Sequence, residues 1–395
     1  MAGPMSADGA PARARRRDLI PVVLAATVGP LPAFLTGALA TQIREDLRFG
    51  PGALGLAVGS HFAAAAMASA PLGRVSEGLG PSRALRLGSA VSAALLLGAG
   101  LLSRSWGLLV VFLAAGGVAN ALIQPAANLF LTRIVPERRQ ALAFATKQSA
   151  IPAGTLLGGL AVPAIALTVG WRWAYVSAAA LAVVAALAVP RLSGHAAVRT
   201  TGPPRLKEPQ LALLACGVAF GAAAAGALAG FLVTAAVDSG ISPGPAGLLL
   251  SGGSVIGISV RLSAGAWLDR RGGEPLDIAT SMLIGGALAY ALMAAHASLV
   301  YLAAVPLAFG AGWAWPGLSN LAVVRMRPEA PGAATGIMQI GTYLGAVLGP
   351  LVFGLAVDAT SYTVGWLLAS GSALVGAAAF TIARRLGAPD ASPVP

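Results

Sequence analysis

The chain has 395 residues, of which 57% are apolar and only 10% charged, against the roughly 25% charged residues usual in soluble domains. A mean hydropathy of +0.79 excludes a soluble fold of this size and a disordered chain, whose mark is low hydropathy, and the 51 Gly and 27 Pro follow no G-X-Y period, which excludes collagen. The formal charge of +12 would suit a nucleic-acid partner, but its distribution along the chain, described below, gives it another meaning.

Residues 1–18 form a polar tail carrying Arg13, Arg15, Arg16 and Arg17. The apolar stretch that follows is long and has no A-x-A site, so it reads as a membrane helix and not as a signal peptide. A membrane helix needs about 20 apolar residues. Twelve stretches qualify, at 19–41, 53–72, 84–103, 107–131, 141–168, 173–190, 209–237, 245–268, 276–295, 298–324, 333–358 and 363–383. No alternating runs of about ten residues suggest a β-barrel. The expected fold class is therefore an all-α polytopic membrane protein. Cys216, the single cysteine, lies in an apolar run, which rules out a disulfide and any Cys-based metal site.

Orientation follows from Lys and Arg. With the N-terminus inside, the tails and inner loops hold 20 of the 26 basic residues and the outer loops hold four: Arg44, Arg48, Arg104 and Arg172. Both termini are thus expected in the cytoplasm, in a cell inner (plasma) membrane. The positive charge is a topology signal, and no nucleic-acid partner is expected.

An offset of 192 residues recurs at three places. Pro51, Gly52, Gly55 and Leu56 match Pro243, Gly244, Gly247 and Leu248. Gly73, Glu77 and Gly80 match Gly265, Asp269 and Gly272. Asn128, Arg133, Pro136 and Glu137 match Asn320, Arg325, Pro328 and Glu329. The chain is thus read as two six-helix halves in the same orientation, 19–190 and 209–385, joined by a cytoplasmic linker at 191–208 and followed by a tail at 386–395. Parallel repeats are a transporter architecture, with the site between the halves near the midplane.

Two loops carry a family resemblance. The loop after the second helix reads Gly73-Arg-Val-Ser-Glu77-Gly-Leu-Gly80-Pro-Ser-Arg83, and the loop after the eighth reads Gly265-Ala-Trp-Leu-Asp269-Arg270-Arg271-Gly272. Both resemble the G-x-x-x-D-R-x-G-R-R loop of the major facilitator superfamily, the first with Glu77 for Asp and Gly78 for Arg. Pro152-Ala-Gly154-Thr-Leu-Leu-Gly158-Gly159 on the fifth helix is similar to that superfamily's G-P-x-x-G-G kink. The resemblance covers the whole chain and implies a bacterial twelve-helix transporter. Independently of the name, a carboxylate at a helix end beside guanidinium groups can form a charge-assisted latch. Gly73, Glu77, Arg83, Gly265, Asp269, Arg270 and Gly272 are the expected latch residues, with plain positive-inside topology as the bland reading of the degraded first copy. The glycine faces Gly154/Gly158 and Gly341/Gly345/Gly349 suit close helix packing.

Charges inside a bilayer are costly. Two fall within spans, and both are positive: Lys147, eight residues after Arg139, and Arg261, eight before Asp269. At 1.5 Å per residue both lie about 12 Å deep. Asp18, Asp238 and Asp358 stand only at span ends. Two buried cations without a protein carboxylate call for an anion from elsewhere, and the fork of an arginine suits a carboxylate. The resemblance implies that helices 5 and 8 face each other across the halves, and that Arg261 matches an Arg of monocarboxylate and oxalate carriers. Snorkelling or pairing with backbone carbonyls is the structural alternative for both.

Polar neutral residues complete the expected substrate site. Asn120, Gln124 and Asn128 form one stripe on the fourth helix. Trp313, Trp315 and Asn320 lie on the tenth, and Gln339 and Tyr343 on the eleventh. The resemblance implies that helices 1, 4, 7 and 10 line the cavity; interhelical hydrogen bonding is the competing reading. His61, eight residues into the second helix, is the candidate for proton coupling, against a packed neutral donor.

The residues thus suggest a secondary carrier of a small organic or inorganic anion, acting as a monomer without cofactor or metal. The alternative is a drug or metabolite efflux antiporter of the same fold. Those usually carry an acid in a cavity helix and an Arg in an R-x-x-x-G setting on the fourth helix, where this chain has Leu113 four before Gly117. A membrane enzyme would need converging acid/base or metal ligands, and none converge in the sequence. A receptor would bind without flux.

Overall fold

The structure is a computed structural model that describes residues 16–135, 143, 146–192, 209–327 and 331–387. Most of the expected N-tail, linker and C-tail, and Pro136, Glu137, Pro328 and Glu329 of the repeat, lie outside those residues.

Eleven described helices are long and apolar enough to cross a membrane, and a bent pair makes the twelfth span. The bent span α1 consists of Arg16–Val28 and Leu31–Ala38, and a short helix, Ala40–Leu47, follows it. Then come α2 (Pro51–Leu79), α3 (Pro81–Leu102), α4 (Trp106–Ile134), α5 (Thr146–Ala166) and α6 (Trp171–Ala188). The second half holds α7 (Pro209–Asp238), α8 (Pro243–Arg271), α9 (Pro275–Met293), α10 (Ser298–Met326), α11 (Pro331–Ala359) and α12 (Tyr362–Gly387).

Several helices overrun the apolar stretches that mark them. α2 runs to Leu79 where the apolar stretch stops near 72, and α8 runs to Arg271. Hydropathy marks the bilayer core, whereas the helix ends where its backbone meets a cap. Proline at the first helical position starts α2, α3, α8 and α9, because its missing N–H would be unpaired there anyway. Gly80 and Gly272, with φ of 79° and 68°, close α2 and α8 in a left-handed conformation that disfavours a Cβ. That explains both glycines of the repeated loop.

Three spans are irregular inside. α1 bends by 55° at Gly29 and Pro30. α5 ends in a π-helical turn, Val162–Ala166, holding Pro163. α10 passes through another π-helical turn, Ala308–Gly312, and breaks before Pro316. Large apolar side chains such as Met67, Leu187 and Leu299 are exposed, as on a surface solvated by lipid.

The halves meet through α2 against α11, α5 against α8, and the second part of α1 against α7. Within the second half, Gly341, Gly345 and Gly349 lie so close to α7 that an added Cβ would stand 2.3, 2.1 and 2.1 Å from the carbonyls of Ala215, Ala219 and Ala223. Apolar side chains gain nothing by leaving lipid for one another, so close backbone approach does the work here.

The end that carries the turns at Gly80 and Gly272 is called proximal, and the opposite end distal. The close contacts between halves cluster toward the distal end. A Cβ on Gly37 would reach the Ala229 carbonyl, one on Gly55 the Pro350 carbonyl, and one on Gly159 the Gly247 carbonyl. Toward the proximal end the approaches stop: among the described residues a Cβ on Gly73, Gly78, Gly265 or Gly336 meets nothing within 4 Å. The described residues are closed distally and parted proximally.

At the distal end, Asp46 accepts hydrogen bonds from Trp171 Nε1 (3.0 Å) and from Arg172, whose guanidinium lies 4.4 Å from the centre of the Trp171 ring. The Arg172 hydrogen bond, with its charge, holds the Asp46 carboxyl below the usual carboxylate range.

Candidate substrate pathway between the halves

A proline inside a helix leaves the carbonyl four residues earlier without its donor. Three such carbonyls organise the middle of this molecule. Pro30 frees the carbonyl of Ala26, and Gln124 of α4 fills it, its Nε2 lying 3.1 Å away. The same amide reaches Asn120 Oδ1 at 3.1 Å, and Asn120 is packed on Gly29, where a Cβ would stand 2.2 Å from Oδ1. Asn120 and Gln124 therefore brace the break in α1. Asn128 is the exposed member of the stripe.

Pro316 frees the carbonyl of Gly312, and Trp315 Nε1 donates to it at 3.0 Å. Trp315 is buried, edge-on to Phe380 at 5.8 Å. It lies in the core of the second half.

Pro152 frees the carbonyl of Gln148, and Arg261 fills it from the other half, with Nη1 3.2 Å away. Arg261 Nη2 donates to the carbonyl of Trp313, at the break in α10. One guanidinium thus ties α5, α8 and α10 together. Its Nε is buried with no hydrogen-bond partner among the described residues. The sequence left an anion and backbone carbonyls as readings for this charge, and two backbone carbonyls accept from it here. Which acceptors lie nearby depends on three helices far apart in the chain, which composition and depth do not reveal.

Lys147 differs. It is buried, and among the described residues no hydrogen bond or ion pair meets its ammonium. It immediately precedes Gln148, whose carbonyl accepts from Arg261, so its backbone lies beside that inter-half contact.

Next to them stands an aromatic wall. Phe34 of α1 meets Trp313 of α10 edge-on, with ring centres 6.2 Å apart. Phe62 of α2 lies 6.2 Å from Phe34, and Phe309 lies 5.3 Å from Trp313. Phe34 and Phe62 were not singled out in the sequence; for Phe34 the nearby break at Pro30 was the available signal.

The remaining expected residues are spread out. Gln339 is exposed on α11, and Asn320 is half-buried on α10. Tyr343 is half-buried on α11, which packs against α2. His61 is fully buried between α2 and α4, its Nδ1 3.0 Å from the Leu113 carbonyl and its Nε2 without a partner among the described residues. A neutral ring that donates from Nδ1 satisfies this geometry. Of the latch residues, Glu77, Arg83 and Arg270 are exposed, and the side chain of Asp269 lies outside the described residues. Glu77 and Arg83 make no hydrogen bond or ion pair within the described structure, as fits a proximal end that is parted.

Two halves of six spans, parted at one end over a mid-membrane contact, have the form of an alternating-access carrier. The Major Facilitator Superfamily profile matches residues 22–213 and 211–395. The chain belongs to the Major Facilitator Superfamily. It is 30% identical over 359 residues to the chloramphenicol resistance protein of Streptomyces lividans, covering 86% of this chain and 88% of that one. Among solved structures it resembles a bacterial homolog of the human lysosomal transporter Spinster in its inward-facing, unoccupied conformation, with a TM-score of 0.70, 15% identity, and 95% and 97% of the two chains covered. It also resembles the nucleoside transporter NupG, with a TM-score of 0.69, 16% identity, and 92% and 99% covered. The two structures share the superfamily fold with this chain.

Proposed function

We propose that this superfamily member is an efflux carrier for small, largely uncharged aromatic compounds of the chloramphenicol kind. The observation that carries the reading is its likeness, over nearly the whole length of both chains, to a protein named for chloramphenicol resistance. Two features support it. The charge of Arg261 is met by carbonyls, so that residue does not require an anion. The rings of Phe34, Phe62 and Trp313 pack on one another where α1, α2 and α10 meet, a kind of lining that suits an aromatic ligand. The bias of Arg and Lys puts the proximal end in the cytoplasm, so the conformation described is open inward, ready to load cargo from the cell. The packing of His61 favours a neutral donor over a coupling group.

A second reading, a carrier of small anions, rests on Lys147, a buried residue whose ammonium meets no hydrogen bond or ion pair among the described residues. The two readings separate in one experiment. Purified protein is scanned for thermal stabilisation by chloramphenicol, small carboxylates and inorganic oxyanions, beside uptake of labelled chloramphenicol into everted vesicles. A ligand at 100 times its Kd adds about 2.7 kcal/mol. Efflux predicts stabilisation and energised uptake of chloramphenicol. Stabilisation by anions alone, lost in Lys147→Gln, would replace it with the anion carrier.

A further inference from the structure

α2 begins without a cap of its own. Its cap position is Gly50, which has no side chain to offer, and its first residue is Pro51, which has no N–H. The first free donor is the N–H of Gly52. It is taken, at 2.6 Å, by Oδ2 of Asp358, a residue 306 positions away at the distal end of α11 in the other half. The glycines make room for this: a Cβ on Gly50 would stand 3.0 Å from Oδ1, and one on Gly52 2.4 Å from Oδ2. A carboxylate at a helix N-terminus gains both the hydrogen bond and the helix dipole.

The repeat provides an internal control. In the matching contact between α8 and α5, the equivalent glycine, Gly244, faces the side chains of Leu167 and Pro163. The cap position there is Ser242, whose hydroxyl makes no cap hydrogen bond. The chain therefore closes the matching contact without any carboxylate, and Asp358 is an addition on one side only.

We propose that Asp358 is a latch of the distal gate. It caps α2 across the boundary between the halves, favours the distally closed conformation, and must let go when that end opens. The interaction exists only while α2 and α11 touch at their distal ends, so its whole free energy falls on one side of the alternating-access equilibrium. A cap inside one half would stabilise both conformations equally and shift nothing. The latch does not depend on which cargo the carrier takes, and its test needs none.

The test uses the full chain in lipid nanodiscs, with Cys216→Ser and spin labels at Arg104→Cys and Ala297→Cys, exposed sites at the distal ends of the two halves. Pulsed electron resonance then reports the distal separation. Loss of a cap should raise the ratio of open to closed molecules about fivefold. Asp358→Ala and Gly52→Ala should both lengthen the distances, the second because its methyl displaces the carboxylate. Asp358→Asn, which keeps the shape and loses the charge, should shift them less. Asp46→Asn, whose partners all lie within one half, should leave them unchanged. Wild-type distances in both Asp358→Asn and Gly52→Ala would overturn the proposal, even if Asp358→Ala proved unstable.

Discussion

Arg261 can be a bridge between helices or a ligand for cargo, and the proline beneath its partner makes the two roles separable. The Gln148 carbonyl is available to the guanidinium because Pro152 has no N–H to give it. In Pro152→Ala, the new N–H would close the helical bond to Gln148, and the Arg261 contact there would become dispensable. Arg261→Met alone strips a donor from each of two buried carbonyls, at about 1–3 kcal/mol for each group left unpaired. It also removes a charge whose burial in mid-membrane costs about 2.5–3.5 kcal/mol. The single variant is therefore a small difference of large numbers. The cycle is sharper, because the charge cancels between its two arms. Interhelical hydrogen bonds in membranes couple by about 0.6 kcal/mol on average and up to about 1.7 kcal/mol, and this one has a charged donor, so about 1 kcal/mol is expected. Reversible unfolding in mixed micelles of wild type, Arg261→Met, Pro152→Ala and the double variant measures it. The double variant should be more stable than the sum of the single effects by that amount. Additivity within about 0.3–0.5 kcal/mol, the scatter of independent sites, would refute the bridge. A loss of chloramphenicol stabilisation in Arg261→Met would then return the residue to the cargo site.

Three further outcomes are expected. Gln124→Leu should destabilise the protein by about 1 kcal/mol in the same assay, and by less in a Pro30→Ala background, where the Ala26 carbonyl regains its own donor; equal costs in both backgrounds would disprove the brace. Gly345→Leu places a side chain where a Cβ would already stand 2.1 Å from the Ala219 carbonyl, so α7 and α11 must separate, at about 1–3 kcal/mol or more, seen as a lower melting temperature and early elution as aggregate. Asp46 has a folded-state pKa below its unfolded one, so its contribution is present above the unfolded carboxylate pKa of about 3.9 and fades as pH falls through the folded value. Melting curves between pH 6 and 3 should therefore fall less steeply for Asp46→Asn than for wild type, and identical slopes would remove Arg172 as its stabilising partner.

Much of the architecture was legible along the chain. Eleven membrane-length helices and a bent pair lie where runs of about 20 apolar residues mark them, and the offset of 192 is a repeated pattern that can be read along the chain in the same way. The prolines marked where the helices break, since a missing N–H is a property of one residue. The glycines of α11 announced close packing for the same reason, needing only the absence of a side chain.

What fills each broken hydrogen bond was decided by tertiary structure. Gln124 reaches a carbonyl 98 residues away, Arg261 one 113 away, and Asp358 an amide 306 away. Periodicity cannot choose among such partners, because every polar residue on an inward face satisfies the same local rule. The sequence therefore showed that Lys147 and Arg261 are costly and deep, but not that one has carbonyl partners and the other none among the described residues. That difference depends on which acceptors three helices bring within about 3 Å, a distance set by how the helices pack.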